Sequence, residues 1–337
     1  MSIPFVAPSR IKISDLPLNP SDLRLRDLIR PYDGAPAEIS LIGAPSDLGV
    51  IAGGGRGGAR LGPDAIREEL RRYGTAYQFE LGIDLSALSI VDVGNLQIDD
   101  GSIETTHQQL AEAVGALAGR GITPVLLGGG HDLTYPGVKG LQGSCEEIGG
   151  ITLDAHFDVR EVVENKITSG TPFRRILDDL KLPGERFVEI GGNGIVNAKS
   201  HIDYLLGKKA RIFSLHETRA KGMQAVFSKA LEIAGHGAEG IFLSVDLDSV
   251  AQAFAPGVSA PSPEGLTPEE VCLAAYLAGQ SPKIRYLDIM ELNPIFDQDN
   301  RTARLAVAIL HAFFSGRVQR KTRERRGGIG FKPRAGS

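Results

Sequence analysis

Short apolar runs rich in β-branched residues recur along the chain, separated by longer stretches whose apolar positions repeat three and four apart. The runs fall at 39–42 (ISLI), 124–127 (PVLL), 150–153 (GITL), 186–190, 210–213, 240–245 and 284–289. The stretches at 62–73, 105–120, 170–180, 227–235, 267–278 and 300–314 predict helices. Because the runs are apolar at successive positions, they read as strands buried on both faces. Strand alternating with helix then predicts an α/β fold of three layers, αβα, around a mainly parallel central sheet. No linker, repeat or low-complexity stretch breaks the alternation. One domain over 1–337 is expected, with its core at about 36–315, a flexible N-terminus and a basic C-terminal tail at 317–337.

Composition narrows the partners. A hydrophobic fraction of 42% suits a globular chain, and a net charge of −4 gives no reason to expect a nucleic acid or a membrane. Arg317, Arg320, Lys321, Arg323, Arg325 and Arg326 are a local exception, read as a solvated tail rather than a polyanion-binding arm. The two cysteines, Cys145 and Cys272, have no CxxC partner, which argues against a disulfide framework or a thiolate zinc site. Neither a cationic-then-apolar leader nor a run of about 18 apolar residues occurs, so a cytoplasmic protein is expected.

Candidate chemistry lies where three of the runs end. The first run continues through Gly128, Gly129 and Gly130, which allow a sharp turn, into His131. The second ends in Asp154-Ala155-His156-Phe157-Asp158, the third in Asp246-Leu247-Asp248. In an extended chain side chains two apart share a face, so Asp154, His156 and Asp158 should point together, as should Asp246 and Asp248. Ligands of open α/β sheets bind outside the carboxyl ends of the strands, where the three motifs would meet. A lone Asp-x-His or Asp-x-Asp reads as a turn or cap; three of them, each after a buried-strand pattern, read as a metal centre. Four carboxylates balance two divalent cations, whereas one ion would leave like charges repelling. Hard oxygen and imidazole without thiolate favour Mn2+, with nickel, iron or cobalt as alternatives.

At these residues the sequence resembles the ureohydrolase superfamily of arginases, agmatinases and formimidoylglutamases, from about Ile39 to His311. The matching stretches are 58–67 (GARLGPDAIR), Gly128 to His131, Asp154 to Asp158, Ser244 to Asp248, and Glu291-Leu292-Asn293-Pro294. The resemblance implies an arginase-like fold with one ion on His131 and Asp158, another on His156 and Asp248, and Asp154 and Asp246 touching both. A hydroxide bridging the pair would attack the trigonal carbon of an amidine or guanidine. Glu291 would hold the cationic C–N group, and Asp158 would be either a proton relay to the leaving amine or a pure ligand. Family analogy also implies a homo-oligomer.

Three stretches resemble formimidoylglutamase in particular: Gly128 to His131, Asp154 to Arg160 followed by Ser169 to Arg174, and Ala255 to Pro261. Arg160, two residues beyond a ligand, and Arg174, at the start of the next helix, suit a substrate bearing carboxylates. Arg174 could instead pair with Asp178 four residues on. Asn193, in Gly191-Gly192-Asn193-Gly194 where arginases and agmatinases usually carry Gly-x-Arg, is a substrate contact or a loop former. Other departures are the missing arginase-like His in 167–173, Asp132 where Glu is common, and Ala251 in place of an acidic residue. The expected reaction is N-formimidoyl-L-glutamate plus water to L-glutamate and formamide, a step of histidine degradation. The alternatives are an agmatinase or guanidino-acid ureohydrolase releasing urea, and an inactive member with a binding or regulatory role. The glycine-rich 53–58 segment lacks a Gly-Lys-Ser/Thr and reads as a loop at the pocket rim, where Arg56 would attract an anion. His107, His201, His216, His236 and His311 lack ligand-spaced partners and read as surface or core residues.

Overall fold

In the computed structural model, which describes residues 2–98 and 101–328, the apolar runs become adjacent strands of one sheet. In chain order they are β1 (Ile39–Gly43), β2 (Ile90–Leu96), β3 (Thr123–Leu127), β4 (Ile148–Leu153), β5 (Phe187–Gly192), β6 (Arg211–Ser214), β7 (Gly240–Asp246) and β8 (Ile284–Met290). The order across the sheet is β2-β1-β3-β8-β7-β4-β5-β6, and every pairing among these strands is parallel. Strand β2 was not among the expected runs, because Asp92, Gly94 and Asn95 interrupt its apolar pattern.

The helices lie on both faces, which is why the strands carry apolar residues at successive positions. On one face α1 (Gly62–Leu70), α7 (Met223–Ala234), α8 (Pro268–Gln280) and α9 (Arg301–Gly328) cover Leu41, Leu127, Leu153 and Leu243. On the other, α2 (Ile103–Ala118), α3 (Thr134–Gln142), α4 (Pro172–Asp178) and α5 (Lys199–Gly207) cover Ile42, Leu126, Phe187 and Phe242. The remaining helix of similar length, α6 (Leu215–Lys221), follows β6. Helices α8 and α9 approach so closely that a Cβ on Gly316 would lie 2.1 Å from the Tyr276 carbonyl oxygen. Among the described residues no helix is long and apolar enough to cross a membrane.

Both ends of the chain depart from expectation. Rather than hanging free, Val6–Ala7 pairs antiparallel with β2, and Ile29–Pro31 pairs parallel with it, so the edge of the sheet is covered. Ile3, Ile13 and Leu25 are buried beneath these additions. The basic segment from 317 is likewise no free tail as far as Gly328, since it continues α9. Phe313, Phe314 and Val318 are buried, and that apolar stripe carries the helix past residue 314. Arg317 is drawn into the protein, donating through Nη2 to the Ile284 carbonyl at 2.7 Å and to Thr123 Oγ1 at 3.2 Å. The rest of the expected tail, 329–337 and the side chains of Arg325 and Arg326, lies outside the described residues.

Candidate metal centre

The expected ligands come from the carboxyl ends of three strands in the middle of the sheet, β3, β7 and β4, and Glu291 from that of β8, which lies between β3 and β7. There the strands fan into loops whose side chains converge, the crevice an open parallel sheet offers to ligands. His131 opens a short turn after β3. The glycines before it work by close approach rather than by unusual dihedrals, and none of the three has a positive φ. A Cβ on Gly129 would lie 1.8 Å from the Ser46 carbonyl oxygen, the same oxygen that accepts the Gly130 N–H at 2.9 Å.

Convergence of the acidic motifs also differs from simple strand alternation. β4 ends at Leu153, so Asp154, His156 and Asp158 sit on irregular backbone, with Asp158 at φ 44°. Asp246 closes β7 and Asp248 lies in the turn that follows. Asp154 Oδ1 accepts the His156 N–H and Asp246 Oδ1 accepts the Asp248 N–H, both at 2.7 Å, so each first carboxylate fixes the turn that delivers its partner. Glu291, after β8, adopts φ 67° and its Oε1 accepts the His131 N–H at 2.9 Å. Two non-glycine residues in the left-handed region within one site cost about 1–3 kcal/mol each, strain of a kind that collects where function demands it.

Two groups of ligating atoms result: His131, Asp154, Asp158 and Asp246; and Asp154, His156 and Asp248. Asp154 belongs to both, whereas Asp246, which the resemblance implies in both, joins only the first, one of its oxygens being turned to the Asp248 N–H. His131 Nδ1 faces Asp154, Asp158 and Asp246 oxygens at 3.2, 3.0 and 3.0 Å. One nitrogen carries at most one proton and cannot satisfy three acceptors, so the arrangement suits a cation at their centre. Asp154 Oδ2 and Asp248 Oδ1 are buried without a hydrogen-bond partner, which in a native site calls for an ion or water. On the far side of the ring, His131 Nε2 lies 2.9 Å from Ser244 Oγ, which donates to Asp288 Oδ1 at 2.5 Å. Phe173 packs edge-on against the imidazole at 5.1 Å.

The electrostatics describe a crowded anionic cluster. Burial, reinforced by Asp248 and Asp154, holds the Asp246 carboxyl well above the usual carboxylate range. Burial lifts Asp248 to about 6 against the pull of His156. Burial opposes charge on His156, yet Asp248 and Asp154 push its imidazole up to about 12. His131 is likewise buried and still raised well above its ordinary value by Asp154, Asp158 and Asp246. The cluster retains protons because it gathers more negative charge than burial tolerates, and those protons occupy the places where cations would sit.

A cavity of about 190 Å³ opens onto the cluster, lined by His156, Asp158, Asp246, Asp248 and Glu291, with Arg160 on the same wall. Among the described residues the Arg160 guanidinium forms no hydrogen bond or ion pair, and its stem lies against Gly170, where a Cβ would be 2.9 Å from Cδ. The other expected substrate contacts are elsewhere. Arg174 binds Glu161 at 2.8 Å and Asp178 at 3.1 Å and lies over the Tyr204 ring, outside the cavity, because the α4 turn that carries it points away. Asn193 is buried in its own loop, accepting from Ile195 N–H and donating to Ser262 Oγ, so it shapes the loop rather than facing the cavity. Arg56 is tied to the Val258 and Ser259 carbonyls, which removes it from substrate attraction, while Gly53, Gly54 and Gly55 do form part of the rim. His107 is buried, its Nε2 2.8 Å from Asp132 Oδ2 and its Nδ1 3.1 Å from Arg175 Nη1, and so braces the turn after His131. Ser244 and Asp288 were missed as site residues. The signal was present, since each sits two or three positions before Asp246 or Glu291 on a strand, but a buried Ser and Asp there also suit a structural role.

Residues 37–315 match the model of the arginase family, and the chain belongs to that family. Within it, the chain is 30% identical over 293 residues to the formimidoylglutamase of Bacillus subtilis (strain 168), covering 86% of this chain and 91% of that one. It is 33% identical over 305 residues to the formimidoylglutamase of Rhodococcus jostii (strain RHA1), covering 88% and 92%. Among solved structures, Trypanosoma cruzi formiminoglutamase with Mn2+ superposes with a TM-score of 0.83 at 34% identity, over 89% of this chain and 99% of that one.

Proposed function

We propose that this protein hydrolyses N-formimidoyl-L-glutamate to L-glutamate and formamide at a two-ion centre, in the cytoplasm. The observation that carries the reading is a single cavity lined by members of both ligand groups, Asp158 and Asp246 of one and His156 and Asp248 of the other, and by Arg160, whose guanidinium has no hydrogen-bond or ion-pair partner among the described residues. His131, Asp154, Asp158 and Asp246 would hold one cation and Asp154, His156 and Asp248 the other, and the all-oxygen-and-imidazole set suits Mn2+. Two such ions, when bound, lower the pKa of water and polarise the bond to be cleaved.

The chain's own residues do the rest. Glu291, with Oε1 fixed by the His131 N–H, presents a carboxylate to the cationic formimidoyl group. Asp158, which lines the cavity, would pass a proton to the departing amine nitrogen as the C–N bond to glutamate breaks and oxygen joins the formimidoyl carbon. Arg160 binds a substrate carboxylate and repels a substrate with a cationic far end, such as agmatine. The likeness to two curated formimidoylglutamases over most of the chain supports the same substrate. The test is steady-state turnover of N-formimidoyl-L-glutamate, agmatine and 4-guanidinobutyrate by manganese-loaded protein. Preferred turnover of the formimidoyl substrate is expected; urea release from a guanidine without formamide from the amidine would overturn the assignment.

A further inference from the structure

At the opposite end of the sheet from the metal centre, the first residues of β1, β3 and β8 border a cavity of about 340 Å³ between the sheet and the last turns of α9. Its charged lining is Arg285, Arg317, Arg320, Lys321, Glu38 and Glu324. The two carboxylates are already committed. Glu38 accepts from Lys321 Nζ at 2.9 Å and from the Ser89 N–H at 3.0 Å, and Glu324 pairs with Arg320 at 3.5 Å. Two cations remain without an anion. Arg285 forms no hydrogen bond or ion pair among the described residues, and Arg317 hydrogen-bonds only to the neutral Thr123 Oγ1 and Ile284 carbonyl, with its guanidinium 5.0 Å from the Phe313 ring centre.

Arg317 is the decisive member. Only 6% exposed, it has a buried Nε with no hydrogen-bond partner. Burial, together with repulsion from Arg320 and Arg285, pushes its guanidinium down to about 9, still charged at neutral pH. A buried, charged and incompletely paired guanidinium is costly unless a counterion joins it. Arg317 lines the same cavity as Arg285, a second guanidinium without an anion.

We propose that this cavity binds a small oxyanion carrying two or more negative charges, held by Arg285 and Arg317 with Arg320 and Lys321 at its edge. The shape of a guanidinium fits phosphate and carboxylate oxygens alike, so a phosphate or a small polycarboxylate offers the same recognition. The site is independent of the proposed catalytic reaction, since it lies at the amino ends of the strands and on α9 and shares no lining residue with the cavity over the ligand groups.

The experiment measures the melting temperature of manganese-loaded protein, freed of excess metal, against inorganic phosphate and separately against citrate, with sodium chloride matching the ionic strength. A ligand that binds only the folded state raises the melting temperature with concentration. Arg285→Gln, at a half-buried position where folding should survive, is expected to weaken the apparent affinity about tenfold, the scale of one charge-assisted hydrogen bond, while leaving hydrolysis unchanged. Arg160→Ala should keep the full thermal response, which separates this site from the catalytic cavity. Saturable stabilisation by either anion that Arg285→Gln weakens supports the proposal, and which anion acts names the ligand's geometry. No stabilisation beyond chloride by either, or an identical response in wild type and Arg285→Gln, overturns it.

Discussion

His131 and Ser244 are joined at 2.9 Å through the imidazole nitrogen that faces away from the carboxylates. Because Ser244 in turn donates to Asp288, the serine oxygen is left to accept the Nε2–H, and the lone pair of neutral His131 is directed at the ligand group. Outer partners of this kind typically contribute 10–100-fold to metal affinity. Ser244→Ala is therefore expected to weaken metal binding by about that factor, read by titration of chelator-treated protein. An unchanged dissociation constant would show that the orientation of His131 is set by Phe173 packing alone.

Asp154 stands in both ligand groups. Asp154→Asn should reduce bound manganese below two ions per chain and lower turnover by about 10²–10³-fold or more, the usual cost of losing one electrostatic stabiliser in an active site. Elemental analysis after dialysis, alongside the rate, checks both. Two retained ions would remove Asp154 from its shared position.

Arg160 and Arg174 should behave differently although they lie fourteen residues apart in the same loop-and-helix segment. Arg160→Ala is expected to raise KM for N-formimidoyl-L-glutamate about tenfold or more, the value of a charge-assisted hydrogen bond, with metal content unchanged. Arg174→Ala should leave KM alone and cost under about 1 kcal/mol of stability, since its partner Glu161 is largely solvent-exposed and Asp178 partly so. A KM effect at Arg174 equal to that at Arg160 would contradict the placement of the two side chains.

Metal uptake should release protons. In the ion-free protein the carboxylates hold His156 at about 12, so near neutral pH it carries a proton that a cation must displace. Apparent affinity should rise as pH increases from 6 to 8, and calorimetric heats should depend on the ionisation enthalpy of the buffer. Pure proton binding works the other way. With a folded value raised above the ordinary 6.5, His156 favours the ion-free fold most below about 6.5 and loses that contribution as pH climbs toward 12. Chelation is accordingly expected to lower the melting temperature more at pH 8 than at pH 6; equal losses at both would contradict this linkage.

Much of the centre was legible because the chemistry requires particular residue types at strand ends. Short β-branched runs apolar at successive positions read as strands covered on both sides, and β1, β3, β4, β5, β7 and β8 follow them closely. The six ligand candidates do converge, yet not through extended alternation; Asp158 reaches the group through a left-handed residue that no periodicity encodes. Arg174 and Arg160 looked equivalent in sequence because helix direction decides which faces the cavity, and that depends on how α4 packs over His131. The basic stretch from Arg317 looked solvated since charge count conceals depth, while Phe313 and Phe314 just before it and Val318 within it are buried on the same helix. Ser244 and Asp288 escaped notice for a related reason, because their role lies in contacts across two strands.

The most direct test of a two-ion formimidoylglutamate hydrolase is formamide release from N-formimidoyl-L-glutamate as Mn2+ is added stepwise to chelator-treated protein. The rate should rise from near zero and reach its plateau at two ions per chain. A plateau at one ion, or no formamide at any loading, would contradict the two-ion centre built around Asp154.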